Sequence, residues 1–188
     1  IKLNGKKNAC VFLSGAGTNL KELLKSSKNA NFPININLII SSNDRAKGLN
    51  LAKIHKIHSK TINLKNRLQC ENLLWELKKR KISLICLAGY MRVLSKYFIN
   101  NFKGKIINIH PSLLPKYRGL NTFKRVLEAK ERFTGCTVHY VNERLDSGKV
   151  ILQKRILINS DDDEKSLKVR VQKIEYKTYS EAIIKIYS

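Results

Sequence analysis

Short apolar segments alternate with amphipathic helical segments along most of this 188-residue chain. The segments 9–14 and 82–88 are almost continuously apolar, which is typical of strands buried on both faces. Between such strands, 19–27 and 67–80 place their leucines on one face of a helix. Because this alternation builds βαβ units, we predict an α/β fold: a Rossmann-like, mostly parallel sheet with helices on both faces. The length favours a single domain.

The last two predicted strands, 136–141 and 150–158, are joined by a link that is too short for a parallel crossover. We therefore expect a mixed sheet, with an antiparallel pair at its C-terminal edge. For the final helix we predict Ser160 as the N-cap, with Asp163 three positions later as in a capping box. The other predicted strands are 34–41, 58–62 and 105–110, and the other predicted helices are 46–56, 93–101 and 121–130.

The formal net charge is +23, because 37 Lys and Arg residues outnumber 14 Asp and Glu residues. Such a charge suits nucleic-acid or membrane-surface binding, but the basic residues are scattered from Lys2 to Lys185. We favour compositional bias and predict no specific nucleic-acid partner and no membrane partner. The four cysteines lack the close spacing of zinc or redox motifs, which favours buried thiols in a reducing compartment. The N-terminal segment indicates a first strand rather than a signal peptide, so we expect a cytoplasmic protein.

In folds of this kind, ligands bind beyond the carboxyl ends of the parallel strands. The first such turn, Ser14–Asn19, has the sequence Ser-Gly-Ala-Gly-Thr-Asn and then opens a helix. Its glycines and the helix N-terminus are suited to hold a phosphate, although a tight structural turn is a fair alternative. The turn matches neither GxGxxG nor a Walker loop.

Asn108 and His110 share one face at the carboxyl end of strand 105–110. An amide can bind a developing oxyanion, and an imidazole can move a proton at neutral pH. Asp146, in the link between the last two strands, would orient His110 if the two loops meet; a structural histidine and a turn-forming aspartate are the alternatives. His139 either borders this site or packs in the core. These residues indicate direct group transfer, with no covalent intermediate and no metal.

Several ordered motifs of this chain are shared with one family. They are Asn108–Pro115, Ser14–Leu20, Leu87–Leu94, Gly135–Val141, and Leu145–Gly148 followed by Val150–Gln153. Together they resemble the formyltetrahydrofolate-dependent formyltransferases, and within that family the branch that formylates phosphoribosylglycinamide in purine biosynthesis. The likeness extends roughly from Ala9 to Tyr179.

The resemblance implies that the formyl group of 10-formyltetrahydrofolate passes to the amine of 5-phosphoribosylglycinamide. Asn108 would hold the formyl oxygen, His110 would act as acid and base, and Asp146 would orient His110 and a proton-relaying water. The residues implied to bind the substrate phosphate and ribose are Gly17, Thr18, Asn19, Gln172, Lys173, Ile174 and Glu175. The residues implied on the folate side are Arg67, Met91, Arg92, Val93, Leu94, Asn108, Asn142, Glu143, Arg144, Leu145 and Asp146.

The resemblance also implies a single domain with a phosphate-binding half, 1–100, and a catalytic and folate-binding half, 101–188, acting as a monomer or homodimer. The Leu114–Pro115 bond is expected to be cis. The chain departs from the family pattern at Arg118, Asn121, Lys149 and Tyr176, which flank the site. Three alternatives stay open: activity like that of methionyl-tRNA formyltransferase, hydrolysis of formyltetrahydrofolate, and a non-enzymatic, basic nucleic-acid-binding α/β domain.

Overall fold

The computed structural model describes residues 5–188, so the basic start of the N-terminal segment, residues 1–4, lies outside the described residues. The strands are β1 (Lys7–Leu13), β2 (Ile34–Ser41), β3 (His58–Thr61), β4 (Ile82–Leu87), β5 (Lys105–His110), β6 (Phe133–Tyr140) and β7 (Val150–Leu157). The helices are α1 (Thr18–Ser27), α2 (Leu49–Ile54), α3 (Arg67–Lys79), α4 (Lys96–Asn101), α5 (Thr122–Glu128) and α6 (Glu164–Tyr187). The predicted α/β class is confirmed, and each predicted strand is present with boundaries that differ by at most three residues.

The seven strands form one sheet in the order β3-β2-β1-β4-β5-β6-β7. Strand β1 runs parallel to both β2 and β4, and β2 runs parallel to β3. Strands β6 and β7 are antiparallel, so the predicted mixed edge is confirmed. The strand order reverses between β1 and β4, and ligands of doubly wound sheets bind at such a reversal, beyond the carboxyl ends of the strands.

The chain divides into two compact units, Ile1–Ile107 and Asn108–Ser188. In the first unit, the side chains of Ala9–Leu13 in β1 are completely buried. In the second unit, α6 packs on β6 and β7, and its residues Leu167, Val171 and Tyr179 are also completely buried. The predicted division into halves at residue 100 stays a prediction.

The predicted start of the final helix is wrong. Asp163, not Ser160, is the N-cap of α6: its carboxylate accepts a hydrogen bond from the Ser166 main-chain N–H at 2.7 Å, and the Ser166 hydroxyl accepts one from the Asp163 N–H at 3.0 Å. The chain before it is a turn, because Asp162 accepts a hydrogen bond from the Asn159 N–H at 2.8 Å. The capping box is therefore present three residues later than expected, with Ser at its fourth position.

Three other predicted helices start later than expected, and α2 and α5 also end two residues earlier than predicted. Residues 46–48 form a turn before α2, and the Ser95 hydroxyl caps α4 by accepting a hydrogen bond from the Phe98 N–H at 3.1 Å. Asn121 precedes α5 in the left-handed conformation, with φ of 55°. None of the helices within residues 5–188 is long and apolar enough to cross a membrane. All four cysteines are free and buried, as predicted.

Candidate active site

Asn108 and His110 end β5 on the same face, as the alternation of a strand predicts. Their neighbours Ile107 and Ile109 are buried, which anchors the end of the strand. His110 is itself only 5% exposed, whereas Asn108 is half-buried. The strand therefore presents an amide and an imidazole side by side, both held by a packed backbone.

Asp146 reaches both side chains from the loop between β6 and β7. One carboxylate oxygen, Oδ2, lies 3.3 Å from His110 Nδ1 and accepts a hydrogen bond from the Gly119 main-chain N–H at 2.9 Å. The other oxygen, Oδ1, lies 3.5 Å from Asn108 Nδ2. Burial raises the pKa of Asp146, but His139, the Gly119 N–H and His110 outweigh it and hold the pKa below its usual value. The two loops thus meet, and Asp146 is an anion at neutral pH.

His110 has an acceptor at each ring nitrogen. Its Nε2 lies 2.8 Å from the Tyr117 carbonyl oxygen, and because a carbonyl only accepts, Nε2 carries the hydrogen. Its Nδ1 faces Asp146 and bears a hydrogen only when the ring is a cation. Burial lowers the pKa of His110, while the Tyr117 carbonyl and Asp146 oppose that shift. The ring can therefore take a second proton, at the nitrogen that faces the carboxylate.

His139 also belongs to this cluster. The sequence allowed it either to border the site or to pack in the core, and in the structure it borders the site. Its Nδ1 lies 2.8 Å from the Tyr140 carbonyl oxygen. Its Nε2 lies 3.3 Å from Asn108 Nδ2 and 3.6 Å from Asp146 Oδ1. His139 therefore contacts both the amide of Asn108 and the carboxylate of Asp146.

Two main-chain groups of the 116–121 loop complete the cluster, and sequence reasoning missed both. The Tyr117 carbonyl and the Gly119 N–H contact His110 and Asp146, as described above. A main-chain contact does not depend on residue type, so the sequence does not reveal it. The one sequence signal is the glycine at position 119, because glycine readily adopts the positive φ of 79° found there. The Leu114–Pro115 bond that precedes this loop is cis, as expected.

The predicted phosphate residues Gly17, Thr18 and Asn19 lie at the start of α1 in the first unit. Gly17 is the left-handed N-cap with φ of 76°, and a Cβ built on it would lie 2.7 Å from the Cα of Gly48. Gly17 and Asn19 are buried, whereas Thr18 is exposed. The first turn therefore has a conformation that only glycine fits, and it opens a helix whose first N–H groups lack intrahelical partners.

The predicted folate residues of the first unit follow β4. Met91, Arg92 and Val93 are exposed, whereas Leu94 is buried. Ser14, the first residue of the predicted phosphate turn, joins this segment to that turn. Its hydroxyl accepts a hydrogen bond from the Met91 N–H at 2.8 Å, and its own N–H donates to the Gly89 carbonyl at 3.1 Å.

Arg67, another predicted folate residue, is the first residue of α3. Its guanidinium carbon lies 3.3 Å above the centre of the Tyr97 ring, and its Nε donates to Glu71 at 2.6 Å. This stacking with an aromatic ring holds an exposed cation in one orientation.

The remaining predicted residues lie in the second unit. Residues 142–145 are exposed, with Leu145 at 57%, and Asn142 accepts a hydrogen bond from the Arg144 N–H at 3.0 Å. On α6, Glu175 is buried, Gln172 and Ile174 are half-buried, and Lys173 is exposed.

Taken together, the sheet and the Asn108–His110–Asp146 cluster define an α/β protein with a site suited to acyl-group and proton transfer. A family model described as formyl transferase matches residues 7–183. The chain therefore belongs to the formyl transferase family, which confirms the resemblance that the motifs indicated.

Individual relatives agree with this assignment. The chain is 39% identical over 177 residues to the phosphoribosylglycinamide formyltransferase of Haemophilus influenzae, covering 92% of this chain and 84% of that protein. It is 41% identical over 184 residues to the trifunctional purine biosynthetic protein adenosine-3 of Drosophila melanogaster, covering 95% of this chain but only 14% of that protein. The crystal structure of phosphoribosylglycinamide formyltransferase from Brucella melitensis superposes with a TM-score of 0.91 at 35% identity, covering 98% of this chain and 97% of that chain.

Proposed function

We propose that this protein transfers the formyl group of 10-formyltetrahydrofolate to the amine of 5-phosphoribosylglycinamide, a step of purine biosynthesis. The observation that carries the proposal is the contact between Asp146 Oδ2 and His110 Nδ1, 3.3 Å, beside the amide of Asn108. Relatives named for this reaction match the chain over almost its whole length.

The reaction needs one carbon–nitrogen bond to form and another to break. The amine nitrogen attacks the formyl carbon, and the electrons of the carbonyl double bond move to its oxygen. When those electrons return, the bond from the carbon to the folate nitrogen N10 breaks. The amine loses a proton and N10 gains one, so the overall reaction is balanced without an added acid or base.

The cluster has a group for each of these demands. An N–H of Asn108 would donate to the formyl oxygen as it becomes negative. The anionic Asp146 would accept the amine proton through a water, and that water would pass a proton on to the folate nitrogen N10. His110 would hold a proton on the nitrogen that faces Asp146. Because both ring nitrogens of His110 already have acceptors, we assign its role to the proton shared with Asp146.

Substrate binding follows the predicted residues of each unit. Gly17, Thr18 and Asn19 would hold the phosphate at the N-terminus of α1, where the helix dipole favours an anion. Glu175 on α6, with Gln172, Lys173 and Ile174 beside it, would bind the ribose. Among the predicted folate residues, Met91, Val93 and Leu145 expose apolar side chains, which suits them to bind an apolar ring.

The direct test is an assay of the purified protein with 10-formyltetrahydrofolate and one acceptor at a time. We expect formylation of phosphoribosylglycinamide, and a far higher KM for the riboside that lacks only the phosphate. Formylation of charged initiator tRNA, or release of formate with water as the sole acceptor, at a higher rate would contradict the proposal. The absence of a metal requirement, the cytoplasmic location and the state as monomer or homodimer stay predictions.

A further inference from the structure

The 116–121 loop contacts both His110 and Asp146 through main-chain groups. The Tyr117 carbonyl accepts the His110 Nε2 hydrogen at 2.8 Å, and the Gly119 N–H donates to Asp146 Oδ2 at 2.9 Å. Tyr117 makes its contact from the left-handed region, with φ of 57°, which costs free energy for a residue with a Cβ. A loop in this conformation has to be held by other contacts.

Glu131, between α5 and β6, holds the first part of the loop. Its Oε1 accepts hydrogen bonds from Lys116 Nζ at 2.7 Å and from the Tyr117 hydroxyl at 2.9 Å. The hydrogen bonds from Lys116 and Tyr117 lower the pKa of Glu131, so it is an anion at neutral pH. The side chains on both sides of the Lys116–Tyr117 peptide are therefore bound to one carboxylate.

Arg125, on α5, holds the second part of the loop. Its Nη1 donates to the Arg118 carbonyl at 2.7 Å and to the Leu120 carbonyl at 3.3 Å, on either side of Gly119. Its guanidinium carbon also lies 5.4 Å from the centre of the Tyr117 ring. One cation thus binds both residues that flank the Gly119 N–H donor and faces the ring of the residue that supplies the carbonyl acceptor.

We propose that Arg125 and Glu131 are positioning residues of this site, which act on His110 and Asp146 through the main chain of the 116–121 loop. The proposal rests on the proposed function for its kinetic consequence only. Its structural consequence is the hydrogen position on His110. With the loop held, the neutral ring carries its hydrogen on Nε2; with the loop released, Asp146 is the acceptor that remains and the hydrogen moves to Nδ1.

The test compares Arg125→Ala and Arg125→Lys with Lys124→Ala. Lys124 is the adjacent cation on α5, and its exposed side chain pairs with Glu128 at 3.8 Å, outside the loop. Long-range ¹H–¹⁵N spectra of the imidazoles report which ring nitrogen carries hydrogen, and the chain has only four histidines to assign. Formyl transfer to phosphoribosylglycinamide gives kcat and KM for the same proteins.

We expect the Nε2–H form of His110 in the wild type and in Lys124→Ala, and a population of the Nδ1–H form in both Arg125 variants. We expect kcat to fall at least about tenfold in both Arg125 variants with KM little changed, as for a misplaced catalytic group. Glu131→Gln, which keeps the shape and loses the charge, should shift the hydrogen in the same direction.

The spectra separate this proposal from the proposed function, because they need no substrate. A wild-type hydrogen position in Arg125→Ala would overturn the positioning role. If Arg125→Lys kept the wild-type hydrogen position and kcat while Arg125→Ala lost both, the effect would come from the charge at position 125. That result would overturn the positioning role as well. A shifted hydrogen position in a protein that formylates no phosphoribosylglycinamide would uphold the positioning role and contradict the proposed function.

Discussion

Asp146 lies between two imidazole rings, and each ring turns its far nitrogen toward a main-chain carbonyl. The carbonyls are those of Tyr117, which faces His110, and Tyr140, which faces His139. His110 can therefore place a hydrogen toward Asp146 only by becoming a cation. The carboxylate makes that cation favourable and burial makes it costly, so the cluster is built to gain and lose a proton.

The lowered pKa of His110 gives a pH dependence of stability. Because its folded pKa lies below the value near 6.5 of the unfolded chain, the unfolded chain binds the extra proton more readily. The contribution of His110 to stability is therefore present above about pH 6.5 and falls as the pH drops through the folded pKa. The unfolding free energy can be measured by urea denaturation at about pH 7.5 and about pH 5. Between these two pH values, we expect it to fall less in His110→Asn than in the wild type.

His55→Asn is the matched control, because His55 lies in the first unit, outside this cluster. A pH dependence of His110→Asn that equals or exceeds that of the wild type would contradict the lowered pKa.

The side chains of the site were more predictable than its main-chain contacts. Asn108 and His110 followed from the period of a strand, because two side chains two residues apart share a face. Asp146 followed from its position in a short turn, although the sequence left open whether the turn reaches β5. His139 was ambiguous because β6 is buried along most of its length, so that a packed histidine and a site histidine show the same pattern.

At the scale of elements, α1 and α2 come together at a pair of glycines. The Cβ that alanine would add to Gly17 lies 2.7 Å from the Gly48 Cα, and Gly17 also has a positive φ. Gly15, in the same turn, has open space around its Cβ and no positive φ. We expect Gly17→Ala to lower the unfolding free energy by at least about 1 kcal/mol, and Gly15→Ala to change it by less than about 0.5 kcal/mol.

The same pair tests the phosphate assignment. Gly17→Ala is expected to raise the KM for phosphoribosylglycinamide far more than that for 10-formyltetrahydrofolate, since it displaces the N-terminus of α1. An equal effect on the two KM values would refute the assignment, and similar stabilities of the two alanine variants would refute the packing argument.

Strand β6 holds the chain before the site loop through one hydroxyl. The Thr137 Oγ1 donates to the Ser112 carbonyl at 2.6 Å and accepts from the Leu114 N–H at 3.1 Å and from Gln153 Nε2 at 2.9 Å. Thr137→Val removes all three contacts in a buried place, so we expect it to lower the unfolding free energy by about 2 kcal/mol or more.

Thr134, on the same strand, is the control for this substitution. It is equally buried, and its hydroxyl has no hydrogen-bond partner among the residues that the structure describes. Thr134→Val should therefore be neutral or stabilising in the same denaturation experiment. If the two valine variants were equally stable, the hydroxyl of Thr137 would not be what holds the segment.

The ends of some strands were predicted from the sequence, whereas the start of the last helix was not. The apolar periods of β2 and β5 gave their bounds, but the start of α6 depends on whether Ser160 or Asp163 turns its side chain into the first turn. Both are good N-caps, and the hydrogen bonds of Asp162 in the preceding turn decide the choice. Such competition among neighbouring polar side chains is not visible in a sequence.

At the scale of the whole molecule, alternation of strands and helices predicts the class of sheet but not the order of its strands. Placing β1 beside β4 requires contacts between segments about 70 residues apart, which local pattern does not encode. The antiparallel edge was predictable because the 142–149 link is short, and a short link allows only one direction.

The net charge of +23 also belongs to this scale. If it reflects composition, binding to RNA of random sequence should be measurable at about 0.02 M salt and disappear at about 0.15 M salt, because it depends on displaced counterions. Fluorescence anisotropy of labelled RNA across this range checks the prediction. A complex with one tRNA that survives the higher salt would contradict it and favour tRNA as the formyl acceptor.

The most direct measurement of the whole account is the turnover of Asp146→Asn with 10-formyltetrahydrofolate and phosphoribosylglycinamide. Asparagine keeps the shape and can still accept the Gly119 N–H, but it removes the anion that both imidazoles face. We predict that kcat of Asp146→Asn falls at least about a hundredfold, although the variant still unfolds cooperatively. The control variant Asp161→Asn should turn over at the wild-type rate. Wild-type turnover in purified Asp146→Asn would contradict the account.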